Sequence, residues 1–186
     1  MPEEYAAADS ALAQRPLRQA RPERDRLQPA LLDRLTDHAP WRAQDGLEDQ
    51  AMSRAALRAA VLRDMRWLLN CVSFESAGSL SAFPNVRAST LNYGVRPLAG
   101  KRMSEIDWVD VEESISIAIR HFEPRILPES LEVRCVSETQ ILDHHNILSL
   151  EIKGRLWCVP YPLEILFRTD IDLESGHMSL QDLGGA

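Results

Sequence analysis

Lysine is almost missing from this chain. Of its 21 cationic residues all but Lys101 and Lys153 are arginine. Arginine's planar fork pairs well with carboxylates at interfaces, although a GC-rich genome supplies the same bias. Cysteine is also scarce. Cys71, Cys135 and Cys158 stand far apart, with no C-x-x-C pair. That argues against a disulfide scaffold or a zinc ribbon and fits a reducing compartment. No apolar run approaches the ~20 residues needed to cross a bilayer. The opening MPEEYAAADS has acids where a signal peptide carries positive charge. The expectation is a cytoplasmic protein with no direct membrane insertion. Surplus positive charge is absent too. The net charge is −7 and the pI about 5.3. Such a chain lacks the electrostatic footprint that phosphate backbones demand, so nucleic acid is not an expected partner.

Signatures of chemistry are equally thin. There is no G-x-S-x-G elbow, no Walker pattern, no G-x-G-x-x-G and no H-E-x-x-H. His144 and His145 are adjacent and would face opposite sides of a strand. A solvated turn over 143–146 is the simpler reading than a metal site. Glu112, Glu113, Glu123 and Asp170 could be nominated as a glycosidase pair, but 28 acids always offer some pair. No catalytic residue, cofactor or metal is expected.

Hydrophobic residues make up 45% of the 186, enough for a core and one domain with tails. Residues 1–26, broken by Pro2, Pro16 and Pro22, read as a flexible tail. Residues 27–49 read as a short helix and linker. Pro29 suits its first turn, and Leu31, Leu32 and Leu35 share one side. They either cap the domain's own core or anchor a partner. The remaining residues, 50–186, read as the main domain.

There, apolar residues recurring at three and four predict a helix from Gln50 to about Phe74. A second is predicted from Ser104, as N-cap, to Phe122, with a stripe of Trp108, Val111, Ile115, Ala118 or Ile119, and Phe122. Between them Asn92 and Gly94 bring turn chemistry. After Pro128 the period changes to two, predicting strands over 131–135, 146–153 and 163–172 and a short one near Met178. Gly154 is read as the turn of a hairpin returning through 156–159. Helices first and strands later predict an α+β fold: N-terminal helices followed by a small, mostly antiparallel sheet with hairpins.

The segment His121-Phe122-Glu123-Pro124-Arg125 closes the second helix. It is either a helix end with a local Glu–Arg pair or a rigid docking point offering both signs of charge. Together with Leu91-Asn92-Tyr93-Gly94 upstream and the β-rich C-terminus, it resembles the contractile-tail baseplate wedge family, often called lysozyme-like. The segments Pro29–Leu35 and Met65–Asn70 are similar to that family's type VI secretion branch, the TssE subunits. The likeness spans roughly residues 27–182.

That resemblance implies a role rather than a reaction. Family members sit in the wedge beside TssF and TssG, with TssK and the spike or hub as further neighbours. They template the first ring of the TssB–TssC sheath from a baseplate docked at the inner membrane. The Glu-Pro-Arg motif, tied to wedge docking, falls on Glu123, Pro124 and Arg125. With Asn92, Tyr93, Gly94, Leu31, Leu32 and Leu35 these are the candidate protein-binding residues. Templating would use a free strand edge, for which 146–153 and 163–172 are the candidates. The alternatives are a peptidoglycan-hydrolysing muramidase and the wedge protein of a phage or tailocin tail.

Overall fold

A computed structural model describes residues 29–37, 40–42, 52–136 and 146–184. The expected tail, most of the linker and the turn at 143–145 lie outside the described residues. Among the described residues four α-helices come first: α1 (Leu31–Leu35), α2 (Arg54–Leu69), α3 (Pro84–Arg87) and α4 (Trp108–Phe122). Four strands follow: β1 (Glu132–Val136), β2 (Ile147–Leu156), β3 (Leu163–Asp172) and β4 (Met178–Asp182). They form one antiparallel sheet in the order β1-β2-β3-β4. The α+β expectation is met.

Both long helices begin later than their apolar periods suggest. Ser53 caps α2 by accepting from the Ala56 amide at 3.0 Å. Its far end is Leu69, where the Asn70 side chain bonds the Arg66 carbonyl at 2.9 Å. The expected cap at Ser104 lies instead in a 3-10 turn, Met103–Glu105, and Asp107 caps α4 through the Val109 amide. An N-cap needs extended backbone with its side chain over the following amides. Asp107 meets that requirement, and its negative charge faces the positive helix end.

One face of the sheet carries Leu148, Leu150, Ile152 and Leu156 of β2 with Ile165, Phe167 and Ile171 of β3, all buried. Against it lie Val61, Met65, Leu68 and Leu69 of α2 and Val111, Ile115 and Ile119 of α4. The opposite face alternates charge across strands. Glu132 sits opposite Lys153, Arg134 opposite Glu151, and Glu151 opposite Arg168. Both layers therefore follow from simple periodicity, 3.6 in the helices and two in the strands.

Gly154 corrects the hairpin expectation. It lies inside β2, paired with Ile165, and Leu156 ends the same strand. A Cβ there would sit 3.2 Å from the Ile126 side chain. The glycine makes room for the chain crossing β2, where Ile126 bridges Leu156, and turns nothing. Gly154→Val is expected to lower unfolding free energy by about 1–3 kcal/mol through overpacking. Denaturant titration against the parent protein measures it, and an unchanged midpoint would contradict this packing account.

Candidate functional site

The helix exit at Glu123 is where the polar residues converge. Glu123 is only 3% exposed, yet it is charged. Its amide still bonds back into α4, to the Ile119 carbonyl at 2.8 Å. Pro124 cannot continue that ladder and turns the chain. The turn brings Arg125 back onto Glu123. Arg125 Nε donates to Oε1 at 2.6 Å and Nη2 to Oε2 at 2.5 Å, while its backbone N–H also donates to Oε1 at 3.2 Å. Two parallel bonds from one guanidinium are the strong form of this pairing.

Arg125 also reaches the other helix, donating to Asp64 Oδ2 of α2 at 2.6 Å. Burial works against the guanidinium's charge, but the bonds and charge of Glu123, then those of Asp64, outweigh it. Its pKa lies above the ordinary arginine value. The chain then bonds to the sheet. The Trp157 amide donates to the Arg125 carbonyl at 2.8 Å, and the Leu127 amide to that of Arg155 at 2.9 Å. Glu-Pro-Arg is thus a buried local pair joining α4, α2 and the end of β2. Only Pro124 and part of Arg125 face outward.

The charge row continues across α2. Asp64 Oδ1 accepts from Arg63 at 2.8 Å, and Arg63 Nη1 donates to Asp33 of α1 at 2.5 Å. Arg63 also stacks over Trp67 at 5.2 Å. The Arg63 hydrogen bond holds the Asp33 carboxyl below the usual aspartate range, against a smaller opposing effect of burial. No residue of α1 is buried, and Leu31 and Leu35 are 70% and 74% exposed. The leucines therefore do not cap the domain's core.

Asn92, Tyr93 and Gly94 sit beside this row. Asn92 is buried, accepting from the Glu75 amide at 2.9 Å and donating to the Arg87 carbonyl at 3.0 Å. Tyr93 packs edge-on to Phe122 at 5.3 Å. Gly94 has φ +128°, and a Cβ would come within 2.5 Å of the Cys71 carbonyl. Only glycine fits where Val95 bonds back to Cys71 and Ser73. These three residues brace the loop after α2, with Leu91 left exposed.

Both sheet edges are capped by helix side chains, which the sequence reading missed. The strands 146–153 and 163–172 are interior, so neither is a free edge. Alternation reports a half-buried face and says nothing about neighbours. The edges are β1 and β4, where alternate residues turn their main-chain groups outward. On β4, Asn70 bonds Met178 at both N–H (3.0 Å) and C=O (2.9 Å), and Arg66 donates to the Leu180 carbonyl at 3.1 Å. On β1, Glu112 accepts from the Cys135 amide at 2.6 Å. Burial, then the charge and bond of Glu112, push the Cys135 thiol up to about 12, which keeps it inert.

The nominated acid pair does not assemble as a unit. Glu112 holds the β1 edge, Glu123 is taken by Arg125, and Asp170 accepts from Ser149 at 2.6 Å. Among the described residues no group of three His, Cys, Asp or Glu could hold a metal, and no helix is long and apolar enough to cross a membrane. The polar side chains hold the domain together, while large apolar residues such as Leu31, Leu35, Trp41 and Leu91 stand outside. Fold and site define an α+β domain whose buried polar residues serve its own scaffold. The family model described as baseplate wedge protein gp25 matches residues 55–161, more than half of the chain, and the chain belongs to that family. No curated protein and no solved structure matches it. It is thus a baseplate wedge protein of the contractile-tail type.

Arg125→Ala is expected to cost about 3–5 kcal/mol, because it strands a buried carboxylate. Arg125→Lys should recover little, since an ammonium cannot make the two-pronged contact. Chemical denaturation of both variants checks this, and a fully stable Arg125→Ala protein would refute the clamp.

Acid should loosen α1. Asp33 has a lowered folded pKa, so its contribution is present above the unfolded value near 3.9 and is lost as pH falls below about 4. Protection of the amides over residues 31–36, measured against their intrinsic exchange rates, should therefore fall below that pH, and in Asp33→Asn already at pH 7. Equal exchange in parent and variant at neutral pH would show that α1 is held by something else.

Proposed function

We propose that the chain is the baseplate wedge subunit of a type VI secretion apparatus and works by docking, with no bond made or broken. The observation that carries this is its membership of the wedge family. The secretion branch is favoured over a phage or tailocin tail by Pro29–Leu35 and Met65–Asn70, which resemble the TssE subunits. TssF and TssG are the expected wedge neighbours, TssK and the spike or hub further ones. The site of action is the cytoplasmic face of an inner-membrane-docked baseplate.

On this reading α1 is an anchor. Its leucines are exposed, while Asp33 tethers it to α2. Such a helix keeps an apolar face ready and needs little reordering on binding. The Glu-Pro-Arg turn then serves docking by holding Pro124 rigid, with Glu123 as its internal support. The domain over 50–186 is the scaffold that positions both, together with the Asn92-Tyr93-Gly94 brace.

Sheath templating, on the same reading, uses the β1 edge. Asn70 and Arg66 occupy the outward groups of Met178 and Leu180 on β4. On β1 the cap is a single carboxylate at Cys135. Among the described residues the outward groups of Val133 enter no hydrogen bond. An incoming strand of TssB or TssC would therefore start at Val133.

The test is co-expression with TssF and TssG. Leu31→Ser with Leu35→Ser should abolish co-purification while shifting unfolding free energy by no more than about 0.5 kcal/mol, as expected for exposed positions. Undiminished recovery of the wedge complex would defeat the anchor assignment. Clearing of purified peptidoglycan by the parent protein, lost on replacing one acid, would instead favour the muramidase reading.

A further inference from the structure

An open cleft of about 780 Å³ runs between α4 and the 73–96 segment. Of the docking residues above, Asn92 and Gly94 line it, while α1 and the Glu-Pro-Arg turn do not. Its α4 wall carries Asp110, Glu113 and Ile117, spaced by three and four, so they form one stripe along the helix. The opposite wall carries Arg87, Arg96 and Glu75, and the exposed Pro84 and Ala88 add apolar surface. Ile117 is 49% exposed in the middle of this polar frame. Among the described residues Asp110, Glu113 and Arg96 enter no ion pair. Arg87 shares only an exposed pair with Glu75 at 3.0 Å, a contact worth little and easily exchanged.

We propose that this cleft is a docking groove for an amphipathic helix of another protein, with basic residues on one flank of its apolar stripe and acidic residues on the other. The proposal rests on the wedge reading for where that partner is met. The charge pattern selects the occupant: Asp110 and Glu113 face Arg87 and Arg96 across apolar surface, with Glu75 beside Arg87 already paired to it. A helix laid between them puts its apolar stripe on Ile117, Pro84 and Ala88. Its basic flank meets Asp110 and Glu113, and its acidic flank meets Arg87 and Arg96. From Asp110 to His121 the wall is about 16 Å long, so roughly three turns of helix fill it. Like charges on both flanks would place one flank against its own sign.

The experiment titrates the full chain into fluorescent synthetic peptides of about 15 residues with the same leucine stripe. One peptide has a Lys flank and a Glu flank, one has Lys on both flanks, one has Glu on both, and one is scrambled. The mixed-flank peptide should bind on the order of tenfold more tightly than any other by anisotropy. Ile117→Glu should remove that binding. Asp110→Lys with Glu113→Lys makes both walls basic, so the peptide with Glu on both flanks should become the tightest. Should Ile117→Glu fail to fold, the charge-reversal variant alone decides.

Equal binding of the scrambled peptide, or no change of preference on reversing the wall, overturns the proposal. Two further outcomes also overturn it: a dimer of the free chain that Ile117→Glu dissolves, or tighter peptide binding once residues 1–28 are deleted. They would make the occupant a second copy or the chain's own N-terminus. Wedge assembly that survives alongside absent peptide discrimination removes the groove alone. Failure of the parent chain to join any wedge removes the assembly reading.

Discussion

The carboxylate of Glu123 is the constraint on which the rest of the structure depends. A charged group this deeply buried is tolerated only when its oxygens are fully engaged, and here three donors come from one residue, Arg125. That requirement fixes the turn. Pro124 ends α4 and aims the chain, Arg125 folds back, and Ile126 is delivered onto the end of β2. Because Arg125 also bonds Asp64, the pair ties both long helices to the sheet at one point. Removing Arg125 would strand the Glu123 carboxylate, whereas Arg125 without Glu123 would still hold Asp64.

The same economy governs the sheet edges. A four-stranded sheet presents two rows of unpaired backbone groups, a standing invitation to aggregation. Here helix side chains take some of them. Asn70 offers both a donor and an acceptor to Met178, matching the pair of groups an edge residue turns outward. Glu112 offers only acceptors, so it can satisfy the Cys135 amide and nothing else. The two edges are therefore unequal. Replacing Asn70 and Arg66 would mean undoing an amide and a guanidinium on α2, whereas β1 yields one carboxylate. This asymmetry, and not strand length or hydrophobicity, distinguishes the edges.

Much of the fold was legible in the sequence, for identifiable reasons. The stripe of α4 and the alternation of β2 and β3 are local periods, and burial follows them closely. Gly154 misled because a glycine in a strand reads as a turn when its reason lies elsewhere in the chain. Here the reason is Ile126, 28 residues upstream. Edge identity failed likewise, since strand order is a property of pairing. At the site, the pairing of Glu123 with Arg125 could be foreseen from their spacing. Its burial could not, because Asp64 joins from 61 residues away. The row through Arg63 to Asp33 is invisible for the same reason.

That row also explains why α1 differs from the other helices. Five residues are too few to be stable alone, and α1 buries none of them. Its attachment to α2 therefore rests largely on the contact between Asp33 and Arg63, with Arg63 itself steadied by Asp64 and by Trp67. An apolar face held by a polar hinge is oriented without being consumed. Packing the leucines against the core would have secured the helix more firmly. Instead charge sets the geometry of α1, and its apolar face stays at the surface.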